Sequence, residues 1–191
     1  MDKIICLVGE SGSGKSTIAE LLEKGGYNYI QSYTTRPPRY EKEKGHIFVH
    51  NIEGYALEGF VDKKEDLIAY TVFNGYEYWT TKEQYRNKGV SIYVIDVVGM
   101  KELKEKVKDA DIVVIYLKAD ESVRATRMYQ RKNNLNPLIS ATNVLQYDKD
   151  ILDRLSYDRK AFKLIPCDYV VDANRRVEEV LIDVESILNN V

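Results

Sequence analysis

Gly9 to Ser16 read GESGSGKS, a G-x-x-x-x-G-K-S spacing. Glycines at such intervals allow successive backbone N–H groups to point into one concavity, the geometry that holds phosphate oxygens. Gly9, Gly12 and Gly14 are expected to take positive φ for that purpose. Lys15 supplies a point charge for the β- and γ-phosphates, and the Ser16 hydroxyl a ligand for a magnesium ion on the same oxygens. The residues assigned to the nucleotide are Gly9, Glu10, Ser11, Gly12, Ser13, Gly14, Lys15, Ser16 and Thr17, with ATP and Mg2+ as the implied ligands. The pattern needs a strand before it and a helix after it. The apolar run KIICLV precedes it, and a helix with Ile18, Leu21 and Leu22 on one face follows, stopped by Gly25-Gly26. The positive N-terminal end of that helix adds to the anion site, so the chain is expected to bind a nucleoside triphosphate.

The elements that must carry this loop belong to a chain of 191 residues, 44% hydrophobic and 30% charged, enough for one core with a small inserted lobe. A net charge of −2 gives no global electrostatic support to a nucleic-acid or anionic-membrane partner. Cys6 and Cys167 stand in no CxxC pattern and read as buried thiols of a reducing compartment. His46 and His50, the only histidines, are too few for a metal site. Met1 leads into a strand, not a signal peptide, and no window approaches 18 apolar residues, so a cytoplasmic protein is expected. The oligomeric state stays open.

Tyr27–Ser32 reads as a second strand, followed by the loop YTTRPPRYEKEKGH. Its prolines hold Arg36 and Arg39 in a stiff extended spacing, which suits either two guanidinium forks for a phosphate or a solvated connector. A short strand from Ile47 and a brief helix over Glu53–Leu57 come next. Leu67–Phe73 and Tyr76–Thr80 flank Asn74-Gly75, a hairpin signal. The run TTKE from Thr80 predicts a capping box with Glu83 and a helix to Gly89. VSIYVIDV is a buried parallel strand with Asp96 at its C-terminal edge, where open α/β sheets place ligands. Gly99–Lys108 reads as helix, Asp111–Leu117 as strand, and a helix from Asp120 carries Arg124, Arg127 and Arg131 on one face with no matching acidic face. KNNLNPLISAT is a polar, mobile connection; Asn143–Phe162 is helical with Arg154 and Arg159; Asp168–Asp172 and Val177–Leu188 close the chain as strand and helix. Strand and helix alternation predicts an α/β fold.

With these residues in place the chain resembles the guanylate kinase family of P-loop nucleoside monophosphate kinases. SYTTRPPR from Ser32 to Arg39 resembles that family's acceptor segment, FNGYEYWT its F-S-G-N-Y-Y-G-S-T, and VIDVVG its L-D-I-D-M-Q-G. The resemblance implies that Ser32 touches the acceptor base, Arg36 and Arg39 the monophosphate, Tyr78 the acceptor phosphate, and Thr80 the base pocket. It puts Asp96 at the second aspartate of the family pair, with Val94 at the first. Glu41 or Glu43 would supply an acid from the shortened loop, and His46 stands where a phosphate-binding tyrosine is expected. Arg124 and Arg131, with Arg154 and Arg159, sit where the family's lid brings arginines to the transferred phosphoryl group, and with Lys15 they are the expected catalytic residues. One departure is chemical: Ala69 stands where the family has a glutamate that accepts hydrogen bonds from guanine.

The resemblance implies a P-loop NTPase parallel sheet with helices on both faces, a small mostly antiparallel inserted lobe at 33–80, a core of 1–32 and 81–191, and a helical lid at about 124–160. The implied reaction is phosphoryl transfer from ATP to a nucleoside monophosphate, GMP or dGMP first, between small-molecule substrates. The alternatives are a related kinase whose acceptor is altered by Ala69, a guanylate kinase-like protein-binding module, and a plain ATPase.

Overall fold

The computed structural model describes residues 1–38, 41, 43–49, 66–73, 75–133 and 148–191. Strand β1 (Asp2–Val8) has Ile4 through Val8 fully buried, as a strand apolar on both faces must be inside a parallel sheet. It leads to α1 (Lys15–Lys24), which ends in a Schellman turn in which Tyr27 N donates to Leu22 O and Gly26 N to Glu23 O.

The stretch expected as one strand from Tyr27 to Ser32 is two. β2 (Asn28–Ile30) pairs in parallel with β7 (Val90–Val94), whereas β3 (Ser32–Thr34) pairs with β4 (His46–Phe48) and β6 (Tyr76–Thr81). The break falls at Gln31, whose carbonyl is taken by the Gln84 side chain instead of a sheet neighbour. The five-stranded sheet has the order β2-β7-β1-β8-β9, with β8 (Ala110–Lys118) and β9 (Tyr169–Asp172). The four-stranded sheet has the order β4-β3-β6-β5, with β5 (Leu67–Phe73). Its β3–β4 pair is parallel and its β3–β6 and β5–β6 pairs antiparallel, so the second sheet is mostly antiparallel as expected. The hairpin falls where the turn residues put it, with Phe73 opposite Tyr76.

Helix α2 (Val97–Lys106) starts two residues before the expected Gly99, because Asp96 caps it. Helices α3 (Glu121–Lys132), α4 (Lys149–Ala161) and α5 (Val177–Leu188) follow. No α-helix follows TTKE. Lys82–Gln84 form a single 3-10 turn, and Gln84, not Glu83, accepts from the Thr81 N–H at 3.1 Å. The sequence there has no apolar repeat, and Asn87 in the left-handed region at φ +60° ends any helical run.

The chain divides into two compact units, Met1–Cys6 with Ala19–Val113 and Leu7–Ile18 with Val114–Val191. In the first, Val49, Leu67 and Trp79 pack together with Tyr33, whose ring stacks on Trp79 at 5.6 Å between centroids. In the second, Ala125 and Met128 of α3 meet Ile151 and Leu155 of α4. The expected helix at Glu53–Leu57, most of KNNLNPLISAT, residues 143–147, Arg39 and His50 lie outside the described residues. No helix among those described is long and apolar enough to cross a membrane.

Candidate functional site

β1 delivers the chain into the glycine loop, and the three glycines prove to have different reasons. Gly12 and Gly14 have φ of +82° and +99°, but Gly9 does not enter that region. Gly9 is required by space: a Cβ there would lie 2.6 Å from Leu117 O and 2.7 Å from Ser13 Oγ. At Gly12 both reasons act, since a Cβ would meet Arg124 O at 2.6 Å. The loop is closed on itself by Ser13 N donating to Glu10 O at 3.1 Å.

Lys15 folds back over this loop, its Nζ donating to Gly9 O at 2.7 Å and Glu10 O at 3.0 Å. Burial lowers the Lys15 ammonium to about 8, against Asp158 and Glu10, which favour the charge. An ammonium held on carbonyl oxygens, its burial only partly offset by Asp158 and Glu10, is one that an incoming phosphate stabilises. Ser16 and Thr17 are exposed in the first turn of α1. Among the described residues no group of three or more His, Cys, Asp or Glu could hold a metal ion. The exposed Ser16 hydroxyl is an oxygen donor of the kind magnesium takes beside phosphate oxygens. The Glu10 carboxylate is engaged by Tyr116, whose hydroxyl donates to it at 2.9 Å.

The three arginines of α3 separate. Arg124 is buried: its Nε donates to Ala119 O at 3.2 Å, and its Nη1 to Ser11 O at 3.2 Å and to Asp158 Oδ2 at 3.1 Å. An acidic partner for the arginine face therefore exists, where none was expected, and it comes from α4. Arg127 and Arg131 instead line a cleft of about 390 Å³ with Gly12, Gly14, Thr17 and Arg175. Arg127 Nη2 donates to Arg175 O at 3.4 Å, and burial lowers the Arg127 pKa. Arg159 is exposed and ion-paired with Glu121, its Nε 2.7 Å from that carboxylate, so it ties α4 to α3. Arg154 is half-buried on α4. The structure thus brings Arg124 and Arg131 to the loop and engages Arg159 elsewhere.

Asp158 is the residue the sequence reading missed. Its carboxylate accepts from Ser11 N at 2.9 Å and pairs with Arg124, with both side chains 4% exposed. Burial pushes its pKa up, opposed by the Ser11 N–H, Arg124 and Lys15. The signal was present: Ile151, Leu155 and Asp158 stand at i, i+4 and i+7 and are the buried residues of α4. A carboxylate on the apolar stripe of a helix needs a buried partner.

In the first unit Arg36 is buried beneath Phe48, its guanidinium carbon 5.2 Å from the ring centre, and forks onto Glu43 at 2.9 and 3.1 Å. Glu43 is the carboxylate that pairs with Arg36, and Glu41 is exposed. His46 sets its ring edgewise against Tyr78 at 5.6 Å. Ser32 and Thr80 are buried, and Thr80 Oγ1 meets the hydroxyl of Tyr93 on β7. Burial pushes the Tyr93 phenol up, while hydrogen bonds with Thr80 and Ser32 oppose that. Ala69 is buried and directly opposite Thr80 in the β5–β6 register. Asp96 is a helix cap, accepting from Gly99 N at 2.7 Å, and Val94 is the last residue of β7.

Residues 5–138 match the AAA domain family. The chain belongs to that family. Adenylate kinase from Nautilia profundicola is 24% identical over 202 residues, which cover 98% of this chain and 97% of that protein. The crystal structure of guanylate kinase from Anaplasma phagocytophilum superposes with a TM-score of 0.63 at 19% identity, covering 99% of this chain and 85% of that one. The fold is therefore that of a P-loop nucleoside monophosphate kinase, guanylate kinase-like, as the motifs led one to expect.

Proposed function

We propose that the protein transfers the γ-phosphoryl group of ATP to a nucleoside monophosphate. The observation that carries this reading is the Lys15 loop opening on a cleft lined by Arg127, Arg131 and Arg175, within a monophosphate-kinase fold. Lys15 would leave the Gly9 and Glu10 carbonyls for the phosphate oxygens, and the N–H groups around Gly12 and Gly14 would hold the β-phosphate. Arg131 would face the charge that spreads over the equatorial oxygens during transfer. Bound at Ser16, magnesium would neutralise phosphate charge. Phosphoryl transfer asks mainly for positioning and charge neutralisation, so no general base is assigned.

The acceptor reading rests on Ser32, Thr80, Tyr78 and the Arg36–Glu43 pair, with Arg39 joining them by sequence, and it favours GMP or dGMP. A monophosphate would compete with Glu43 and Pro37 O for the Arg36 guanidinium. A different acceptor base is the second reading, favoured by buried Ala69 where the guanylate kinase family carries a glutamate, and in keeping with an adenylate kinase among the relatives. Removing a charged acceptor for the guanine edge costs about 1.5–3 kcal/mol. The test is ADP release with ATP and Mg2+ against GMP, dGMP, IMP, AMP, CMP and UMP. Stimulation by GMP and dGMP far above the others is expected, and stimulation by AMP alone would put the second reading in its place.

A further inference from the structure

The Ser11 backbone sits between two buried side chains that belong to different helices. Its N–H donates to Asp158 of α4 at 2.9 Å, and its carbonyl accepts from Arg124 of α3 at 3.2 Å, while the two side chains pair with each other at 3.1 Å. Arg124 has a third bond, to Ala119 O, and its own carbonyl lies where a Cβ on Gly12 would fall. One carboxylate and one guanidinium thus take both backbone polar groups of a single loop residue, one in each of two successive peptide units. The carrier is built to hold that position. α3 and α4 share an apolar core at Ala125, Met128, Ile151 and Leu155, Arg159 pairs with Glu121, and Lys132 pairs with Asp148 and Asp150 at 3.0 Å each.

We propose that Asp158 and Arg124 are positioning residues, a buried pair that fixes the backbone on both sides of Ser11 and with it the first half of the phosphate loop in the nucleotide-receiving conformation. Arg124 acts on ATP through the loop backbone and not by touching the transferred phosphoryl group; Arg131 keeps that task. The proposal rests on the nucleotide-binding reading of the loop. A buried ion pair adds little net stability over a well-packed apolar pair, so its retention beside the loop fits a role in geometry.

The experiment measures Mg·ATP affinity by titration calorimetry, steady-state kinetics and the melting temperature for wild type, Asp158→Ala, Asp158→Asn, Arg124→Met and the double variant Arg124→Met/Asp158→Leu. Each alanine or methionine variant should bind Mg·ATP about tenfold or more weakly, the loss of a charge-assisted hydrogen bond, with an acceptor KM within about twofold of wild type. Asp158→Asn, which still accepts from Ser11 N, should fall between wild type and Asp158→Ala. The double variant removes both charges and keeps the core packed, so it should fold even if a single variant does not. Its ATP affinity should match the singles, not the product of their losses, because all free the backbone of the same residue, Ser11. Unchanged ATP affinity alongside a lowered melting temperature would overturn the positioning role, leaving a structural pair. A loss of kcat confined to Arg124→Met would overturn it too, by making Arg124 a phosphate contact. Wild-type protein that fails to bind Mg·ATP would overturn the loop reading itself, an outcome distinct from both.

Discussion

At the scale of single residues, the loop shows that one motif letter can stand for different physics. Gly9 and Gly12 are both excluded from carrying a side chain by a carbonyl oxygen 2.6 Å away, whereas Gly14, also at positive φ, has nothing within 4 Å of its missing Cβ. Gly12→Ala should therefore destabilise more than Gly14→Ala in urea denaturation. The latter should pay only the left-handed backbone cost of about 1–2 kcal/mol. Lys15→Ala leaves the loop backbone in place and should lower kcat by about 10²–10³-fold, as losing one charge-stabilising donor does, with little change in melting temperature. The motif was legible because its chemistry is local. Asp158 was legible only in part: its place on the Ile151–Leu155 stripe marks it as buried, but its partners Ser11 and Arg124 lie 147 and 34 residues away.

At the scale of elements, the sequence periods located strands and helices well where turn chemistry bounded them, as at the β5–β6 hairpin and α5. They failed where a side chain far along the chain decides the outcome. Gln31 ends β2 by giving its carbonyl to Gln84, and the segment after Thr81 stays a short turn. That segment is held by Asp2, whose carboxylate accepts from Asn87, Lys88 and Gly89 N–H at 2.8, 3.1 and 2.9 Å. The Asn87 and Gly89 N–H bonds hold the Asp2 carboxyl below its usual value. A depressed carboxylate contributes stability above its unfolded pKa and loses it as pH falls through the folded one. The melting temperature of Asp2→Asn should thus lie below wild type at neutral pH, and the two should converge below about pH 4. In the α3–α4 pair, Leu155→Ala should cost about 2–5 kcal/mol in urea denaturation, the range for emptying a buried leucine site.

At the scale of the whole molecule, the glycine loop lies in one compact unit, and Ser32, Arg36, Tyr78 and Thr80 lie in the other. The glycine loop, Arg131, Ser32, Arg36, Tyr78 and Thr80 could be singled out from sequence, but the engagement of Arg36 by Glu43 and of Thr80 by Tyr93 depends on register between strands that no local pattern fixes. The measurement closest to the central claim is ADP release from Mg·ATP with and without a nucleoside monophosphate, in wild type and Lys15→Ala. Release that depends on the acceptor in wild type and is lost in Lys15→Ala is the predicted result. Release equally fast without any acceptor, or an acceptor-dependent rate that survives in Lys15→Ala, would contradict it.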